Sequence, residues 1–390
     1  MPESTRRNVN FPRANLFMLG VITFIMLGAT LKLTTAILLP FVIAVLLTFV
    51  LEPLINLLTK IKIPRALAAI VVVLAIASAL YVVGLVLFNS VKTIATLYPK
   101  YEERFTEIYQ LLANAFSLPY DEHLNLFDNI WQQMGVRQQI QSWALNFSNS
   151  FIGFFSDSVM VVLFIVFLLL ELGHFKARVE LAFANTFPGG VKAIIDSIVR
   201  QVTRYLSVKF IMSLATGLII GLVLKLIGMD FPVVWAVICF ILNFIPTIGS
   251  IGAGMGVVIF AVVQFYPAPT PIIIAALTAV LTNMIIGNII EPKIQGDNLG
   301  LSPFVILLSL LIWGWLWGFA GLILAVPMTV IIKIICEQVP ILEPVSILMG
   351  SYKAAISTKA RPARWYSAKH SAQKSDECQD QQPGSSEPNP

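Results

Sequence analysis

Long apolar runs separated by short polar links make up most of this 390-residue chain. A helix rises about 1.5 Å per residue, so roughly 20 apolar residues cross the hydrocarbon core of a bilayer, which is about 30 Å thick. Runs of this length predict full transmembrane helices at residues 14–31, 33–51, 66–88, 150–171, 209–228 and 270–290. The pattern therefore predicts an all-α, polytopic membrane protein with about six such helices.

Two further apolar stretches, 231–265 and 303–333, are too long for one crossing, and each is interrupted. The first break contains Pro246 and nearby glycines, and the second contains Gly314 and Gly318 together with three tryptophans. Half of either stretch is too short to cross. Broken helices at membrane depth are tolerated only where the backbone faces protein or a polar cavity, and they point to a transporter's substrate site. We predict two broken or re-entrant helical hairpins. If each stretch crosses once instead, the 291–302 loop changes sides.

More polar segments separate the apolar ones and divide the chain into four regions. Residues 1–88 hold the first three membrane helices, and 89–149 form an insertion with apolar residues at helical spacing, expected outside the cytoplasm. Residues 150–350 hold the transport region, including a basic amphipathic cytoplasmic helix at 175–208. The tail at 351–390 is rich in Ser, Pro, Gln and Asp, and we expect it to be disordered.

Charge and composition set the orientation and the class of protein. The chain is 57% hydrophobic and only 12% charged, whereas a soluble domain carries about 25% charged residues. Its basic residues lie mostly in loops and tails, so the net charge of +5 does not indicate a nucleic-acid partner. Their clustering in short loops predicts that both termini are cytoplasmic. The three scattered cysteines fit neither a disulfide framework nor a metal site.

Polar groups near the breaks are the candidate lining of a solute pathway. Asn283, Gly287 and Glu291 follow one another at i, i+4 and i+8, so they share a helix face that we expect to oppose the first break. Each has a plainer interpretation: asparagines link membrane helices, glycines permit close packing, and Glu291 before a proline marks a wet helix end. The candidate pathway residues are Asn243, Pro246, Thr247, Gly249, Ser250, Asn283, Gly287, Asn288, Glu291 and Pro292, and the candidate hinge or break residues are Gly252, Gly314, Gly318 and Pro327.

Several motifs of the second half occur in a specific order. They are Phe-Ile-Pro-Thr-Ile-Gly at 244–249, Asn-Ile-Ile-Glu-Pro at 288–292, Leu-Gly-Leu-Ser-Pro at 299–303, and then Gly314, Gly-Phe-Ala-Gly at 318–321 and Ala-Val-Pro at 325–327. This run resembles the signature of the autoinducer-2 exporter family of permeases. The resemblance implies a bacterial inner-membrane protein that exports a small signalling molecule, autoinducer-2 or a related metabolite. Some relatives look like sodium/proton antiporters, which is the alternative function.

Other classes of function have less support in the sequence. There is no His-Glu-x-x-His, no Gly-x-Ser-x-Gly and no phosphate-binding loop, so neither an enzyme nor an ATP-driven pump is expected, and no cofactor is predicted. A secondary transporter working by alternating access fits best. Its partners would be the lipid bilayer, a small polar solute, a coupling ion (proton or sodium) and further copies of the chain in a homo-oligomer.

Overall fold

The computed structural model describes residues 11–115, 158–169, 171, 178, 190–295, 300–339 and 342–351. These residues are almost entirely helical, and the described part contains no strand beyond an isolated bridge between Leu301 and Gly350. The helices are α1 Phe11–Leu33, α2 Thr35–Lys60, α3 Arg65–Ala115, α4 Ser158–Leu169, α5 Gly190–Leu226, α6 Pro232–Leu242, α7 Ile248–Phe265, α8 Pro269–Thr282, a π-helix Asn283–Ile290, α9 Glu291–Gln295, α10 Pro303–Gln338 and α11 Glu343–Met349.

Six stretches of the described chain are long and apolar enough to cross a membrane, which confirms the all-α polytopic fold. They are Thr35–Lys60, Arg65–Ser90, Ile194–Leu226, Ile248–Phe265, Pro269–Gln295 and Pro303–Glu337. Four of them overlap the predicted spans 33–51, 66–88, 209–228 and 270–290. The predicted spans 14–31 and 150–171 correspond to shorter apolar helices, Met18–Leu33 and Ser158–Leu169. Residues 150–157 lie outside the described part.

Some helix boundaries differ from the prediction. Residues 190–208 of the amphipathic segment continue into the 209–228 span as a single helix, α5, which ends at Leu226. No proline or glycine lies between Val191 and Thr216 to end it earlier. Residues 175–177 and 179–189 of the segment lie outside the described chain. The predicted boundary at residue 88 falls inside α3, which continues to Ala115. The predicted boundary at residue 51 likewise falls inside α2, which runs through Pro53 to Lys60. Residues 116–149 of the insertion and the tail from 352 lie outside the described chain.

Helix α5 lies at the centre of the bundle and packs against α2, α6, α8 and α10. One buried cluster joins α2, α5 and α10 through side chains such as Leu46, Val202 and Val330. Another joins α5 to α6, α7 and α8, with Cys239 and Val257 among its members. The outer helix faces expose many large apolar side chains, as expected for surfaces in contact with lipid.

The first interrupted stretch reverses direction between α6 and α7. Matched contacts step along the two helices in opposite directions: Leu242 lies against Gly249, Trp235 against Gly256, and Phe231 against Phe260. At the turn, Thr247 has a φ of +57°, a left-handed value that is unusual for a residue with a branched side chain. The two helices are therefore an antiparallel pair, although their position in the bilayer stays a prediction.

The second stretch also bends sharply, inside α10. Trp317 and Gly318 leave the helical conformation, and Gly318 has a φ of +60°. Beyond the bend, Gly321 lies against the carbonyl of Trp313 and Leu322 lies against Gly314, so the two arms fold onto each other. Two other expected break residues need correction: Gly252 lies inside uninterrupted α7, and Pro327 lies in the second arm of α10, where φ and ψ stay helical.

Candidate functional site

Four polar residues meet where α6 turns into α7, and we call them the polar cluster: Asn243, Ser213, Ser250 and Asn283. The side-chain amide of Asn243, only 3% exposed, donates to the Ser213 hydroxyl at 3.1 Å. The Ser250 hydroxyl donates to the Asn243 side-chain oxygen at 2.9 Å. The Asn283 amide donates to the backbone oxygen of Ser250 at 3.1 Å. The cluster thus ties together α5, the α6–α7 turn, α7 and the π-helix.

The turn that positions this cluster follows from its local sequence. Helix α6 ends at Leu242, shortly before Pro246, whose missing backbone N–H removes a donor from the helical ladder. The Pro246 carbonyl accepts from the Thr247 hydroxyl at 2.7 Å and from the Ile248 N–H at 2.6 Å. Gly249 then packs directly against the carbonyl of Leu242, where any side chain would collide. Proline ends one helix, and glycine allows the next to start beside it.

A buried ion pair lies next to the polar cluster. The Lys209 ammonium is 2.7 Å and 3.0 Å from the two Glu291 carboxylate oxygens, and the side chains are 6% and 13% exposed. Close by, the Arg204 guanidinium donates to the backbone oxygen of Ile294 at 3.2 Å. Lys209 is absent from the sequence-based candidates. The available signal was that this lysine is the single charged residue in the run at 206–224.

The other candidate residues have different surroundings. Thr247 is exposed, and so are Asn288 and Pro292. Gly287 is half-buried, and a Cβ added there would meet nothing within 4 Å. Asn283 contacts α7 while Glu291 contacts α5, so the predicted stripe has two different partners. In the described ranges, no three His, Cys, Asp or Glu side chains are grouped closely enough to hold a metal ion.

A second set of polar contacts lies just beyond the C-terminal end of α5. The Tyr101 hydroxyl donates to the Asp230 carboxylate at 2.7 Å, and burial together with this carboxylate raises the pKa of Tyr101. The Asp230 N–H donates to the Gln264 side-chain oxygen at 2.8 Å, and the Gln264 amide donates to the Gly228 carbonyl at 3.0 Å. These bonds place the start of α6 and the end of α7 at one end of the bundle.

The run from α8 to α9 is antiparallel to α5. It begins just after Gln264, beside Asp230, and ends with Ile294 beside Arg204. Residues 265–271 and residues 291–295 therefore lie at opposite ends of the bundle. The hairpin interpretation of the first interrupted stretch requires residues 265–271 to lie at the same end of the bundle as Asp230, which is where they are.

The fold and this site describe a polytopic helical membrane protein with a polar cluster at a chain reversal, as expected of a membrane transport protein. The family model described as "AI-2E family transporter" matches residues 19–341. The chain belongs to this family, which confirms the resemblance seen in its motifs.

Curated relatives carry transport names. A protein of Borreliella burgdorferi named "Putative transport protein" is 42% identical over 202 residues, covering 52% of this chain and 56% of the relative. The Escherichia coli K12 protein "Putative transport protein YhhT" is 32% identical over 302 residues, covering 77% of this chain and 84% of the relative. The "AI-2 transport protein TqsA" of the same organism is 28% identical over 336 residues, covering 85% and 94%.

Proposed function

We propose that this protein is a secondary transporter of the bacterial inner membrane that exports a small, uncharged polar solute. Autoinducer-2 or a related metabolite is the first candidate, which would make it an exporter of a quorum-sensing signal. The name of the relative TqsA supports this substrate class. The observation that carries the proposal is the polar cluster formed by Asn243, Ser213, Ser250 and Asn283 at the α6–α7 reversal.

The chemistry of the cluster suits an uncharged solute. Its groups are amides, hydroxyls and a backbone carbonyl, none of which carries a formal charge. Autoinducer-2 is rich in hydroxyl and carbonyl groups and is uncharged unless it is complexed with borate. Hydrogen bonds from the cluster to these solute groups can replace the hydrogen bonds within the cluster one for one. Each internal hydrogen bond contributes only about 1 kcal/mol net, so the exchange is energetically accessible.

The depth of the cluster suits alternating access. Ser213 lies about 20 Å along α5 from Leu226 at a rise of 1.5 Å per residue, which places it well inside a bilayer about 30 Å thick. The cluster joins four separate chain segments, so movement of α6–α7 against α5 would open it. With 172–208 on the cytoplasmic side, as the basic residues predict, Asp230 would face outwards. A proton or sodium gradient would supply the energy, and the protein would work as a homo-oligomer with both termini in the cytoplasm.

Inverted membrane vesicles test this proposal, because export appears as uptake into the lumen. Vesicles with the wild-type chain should accumulate autoinducer-2 when energised, and Asn243→Ala or Glu291→Gln should reduce the rate at least tenfold at equal protein level. Asn56→Ala is the matched control, because this asparagine is exposed on α2, and it should keep the wild-type rate.

Sodium- and lithium-driven proton movement is measured in the same vesicles. Proton movement without autoinducer-2 uptake would favour the antiporter alternative. If both variants kept full uptake, neither the polar cluster nor the neighbouring Glu291 would belong to the solute site.

A further inference from the structure

The Lys209–Glu291 ion pair is connected to the polar cluster through two helical segments. Lys209 lies one helical turn before Ser213 on α5, so the two side chains share a face. Glu291 directly follows the π-helix that begins at Asn283. A solute that reaches the cluster from the Arg204 end of α5 would therefore pass close to this pair.

Stability does not explain why two charges are buried here. Removing a lysine and a carboxylate from water is costly, and a buried ion pair is often no more stabilising than apolar side chains of the same size. Ionisable groups within membrane helices are rare, and they commonly mark the pathway of a solute or ion. The described chain also holds a useful contrast in Lys333 and Glu337. This pair has the same 2.7 Å separation but lies within one helix, with side chains 11% and 30% exposed.

We propose that Lys209 determines the charge specificity of the pathway. By cancelling the charge of Glu291, it makes the region beside the polar cluster electrically neutral, so that uncharged polar solutes pass and charged solutes of either sign are rejected. This inference rests on the proposed function, in which a solute occupies the cluster. A lone Lys209 would create an anion site, and a lone Glu291 would create a cation site.

A transport experiment compares one solute in two charge states. Purified protein in liposomes is supplied with autoinducer-2 alone or with borate, which converts the solute into an anion. The wild type should prefer the neutral form at least tenfold. Glu291→Gln should lose or reverse this preference, and the exchange Lys209→Glu with Glu291→Lys should restore it. Lys333→Met is the matched control and should leave the preference unchanged. Equal loss of both forms in Glu291→Gln would overturn the proposal, because the pair would then be only structural.

An equilibrium readout decides the assignment without transport. Thermal unfolding in detergent is followed while sulfate replaces bulky gluconate at constant ionic strength. Sulfate should raise the unfolding temperature of Glu291→Gln but not that of the wild type or of the double variant Lys209→Met with Glu291→Gln. A wild type that carries no autoinducer-2 would contradict the proposed substrate, whereas the sulfate effect would still establish the anion site at Lys209. Absence of a selective sulfate effect would refute the role of Lys209.

Discussion

Replacing Gly249 by alanine tests the reversal between α6 and α7 most simply. A Cβ at this position would overlap the carbonyl oxygen of Leu242, and it would lie 2.8 Å from the carbonyl carbon, where ordinary contacts begin near 3.4 Å. Both obstructing atoms belong to the backbone, so no side-chain rotation can relieve the overlap. Either α7 must move away from the end of α6, or the turn must open.

The expected cost follows from this geometry. Overpacking a well-packed site costs about 1–3 kcal/mol, and sometimes more. A clash against fixed backbone belongs at the upper end, so we expect Gly249→Ala to lower the free energy of unfolding by about 3 kcal/mol. The same movement would displace Ser250 and Asn243, so solute flux should fall as well. The free energy is measured by titrating the purified protein in mixed micelles with a denaturing detergent.

Gly252→Ala provides the matched control for Gly249→Ala. Gly252 lies three residues further along α7, and a Cβ there would meet nothing within 4 Å. Its substitution should be neutral or should stabilise the helix by up to about 1 kcal/mol, because alanine favours helix over glycine. If the two variants unfold with equal free energy, the antiparallel packing of α6 and α7 is wrong.

Three further substitutions test other contacts. Gly321→Ala should destabilise the protein by about 1–3 kcal/mol, because its Cβ would overlap the Trp313 oxygen and lie 2.5 Å from the Trp313 carbonyl carbon; a fully stable variant would contradict the fold-back of α10. Ser213→Ala should cost about 1–3 kcal/mol by leaving a buried amide unpaired, and unchanged stability and flux would remove this serine from the cluster. Tyr101→Phe should cost about 1.5–3 kcal/mol through the lost bond to Asp230. Since the folded-state pKa of Tyr101 is raised above its ordinary 10.0, this contribution should be constant below pH 10 and decline above it; a decline beginning near neutral pH would contradict this.

The two chain reversals could be predicted because their causes are local. Pro246 removes a backbone donor, and the glycines allow two backbone segments to approach each other. These properties act within a few residues, so a single sequence displays them. The transition from water to lipid along α5 does not change the backbone hydrogen bonding of any residue, so it does not end the helix. A helix continues through a change of surroundings unless a residue such as proline stops it, which is why the predicted division of α5 is wrong.

Contacts between distant residues could not be predicted from the sequence. Lys209 and Glu291 are 82 positions apart, and nothing local to either residue indicates its partner. The π-helix Asn283–Ile290 is a similar case, because no residue within it distinguishes a π-helix from an α-helix. Its first residue is bonded to Ser250, and the residue after its end is bonded to Lys209. We attribute the wider helix to these tertiary hydrogen bonds. π-Helices are rare, and they occur frequently at functional sites.

Solute-protected labelling of the turn tests the central claim most directly. Ser250→Cys is introduced into a chain whose three native cysteines are replaced, and sealed vesicles are treated with a membrane-impermeant thiol reagent. A water-accessible polar cluster predicts modification of Ser250→Cys that slows at saturating autoinducer-2. It also predicts no modification of Ile251→Cys, at a neighbouring position whose side chain is 62% exposed on the outer surface of α7. No reaction of Ser250→Cys from either side of the membrane, or a reaction that the solute leaves unchanged, would contradict the account.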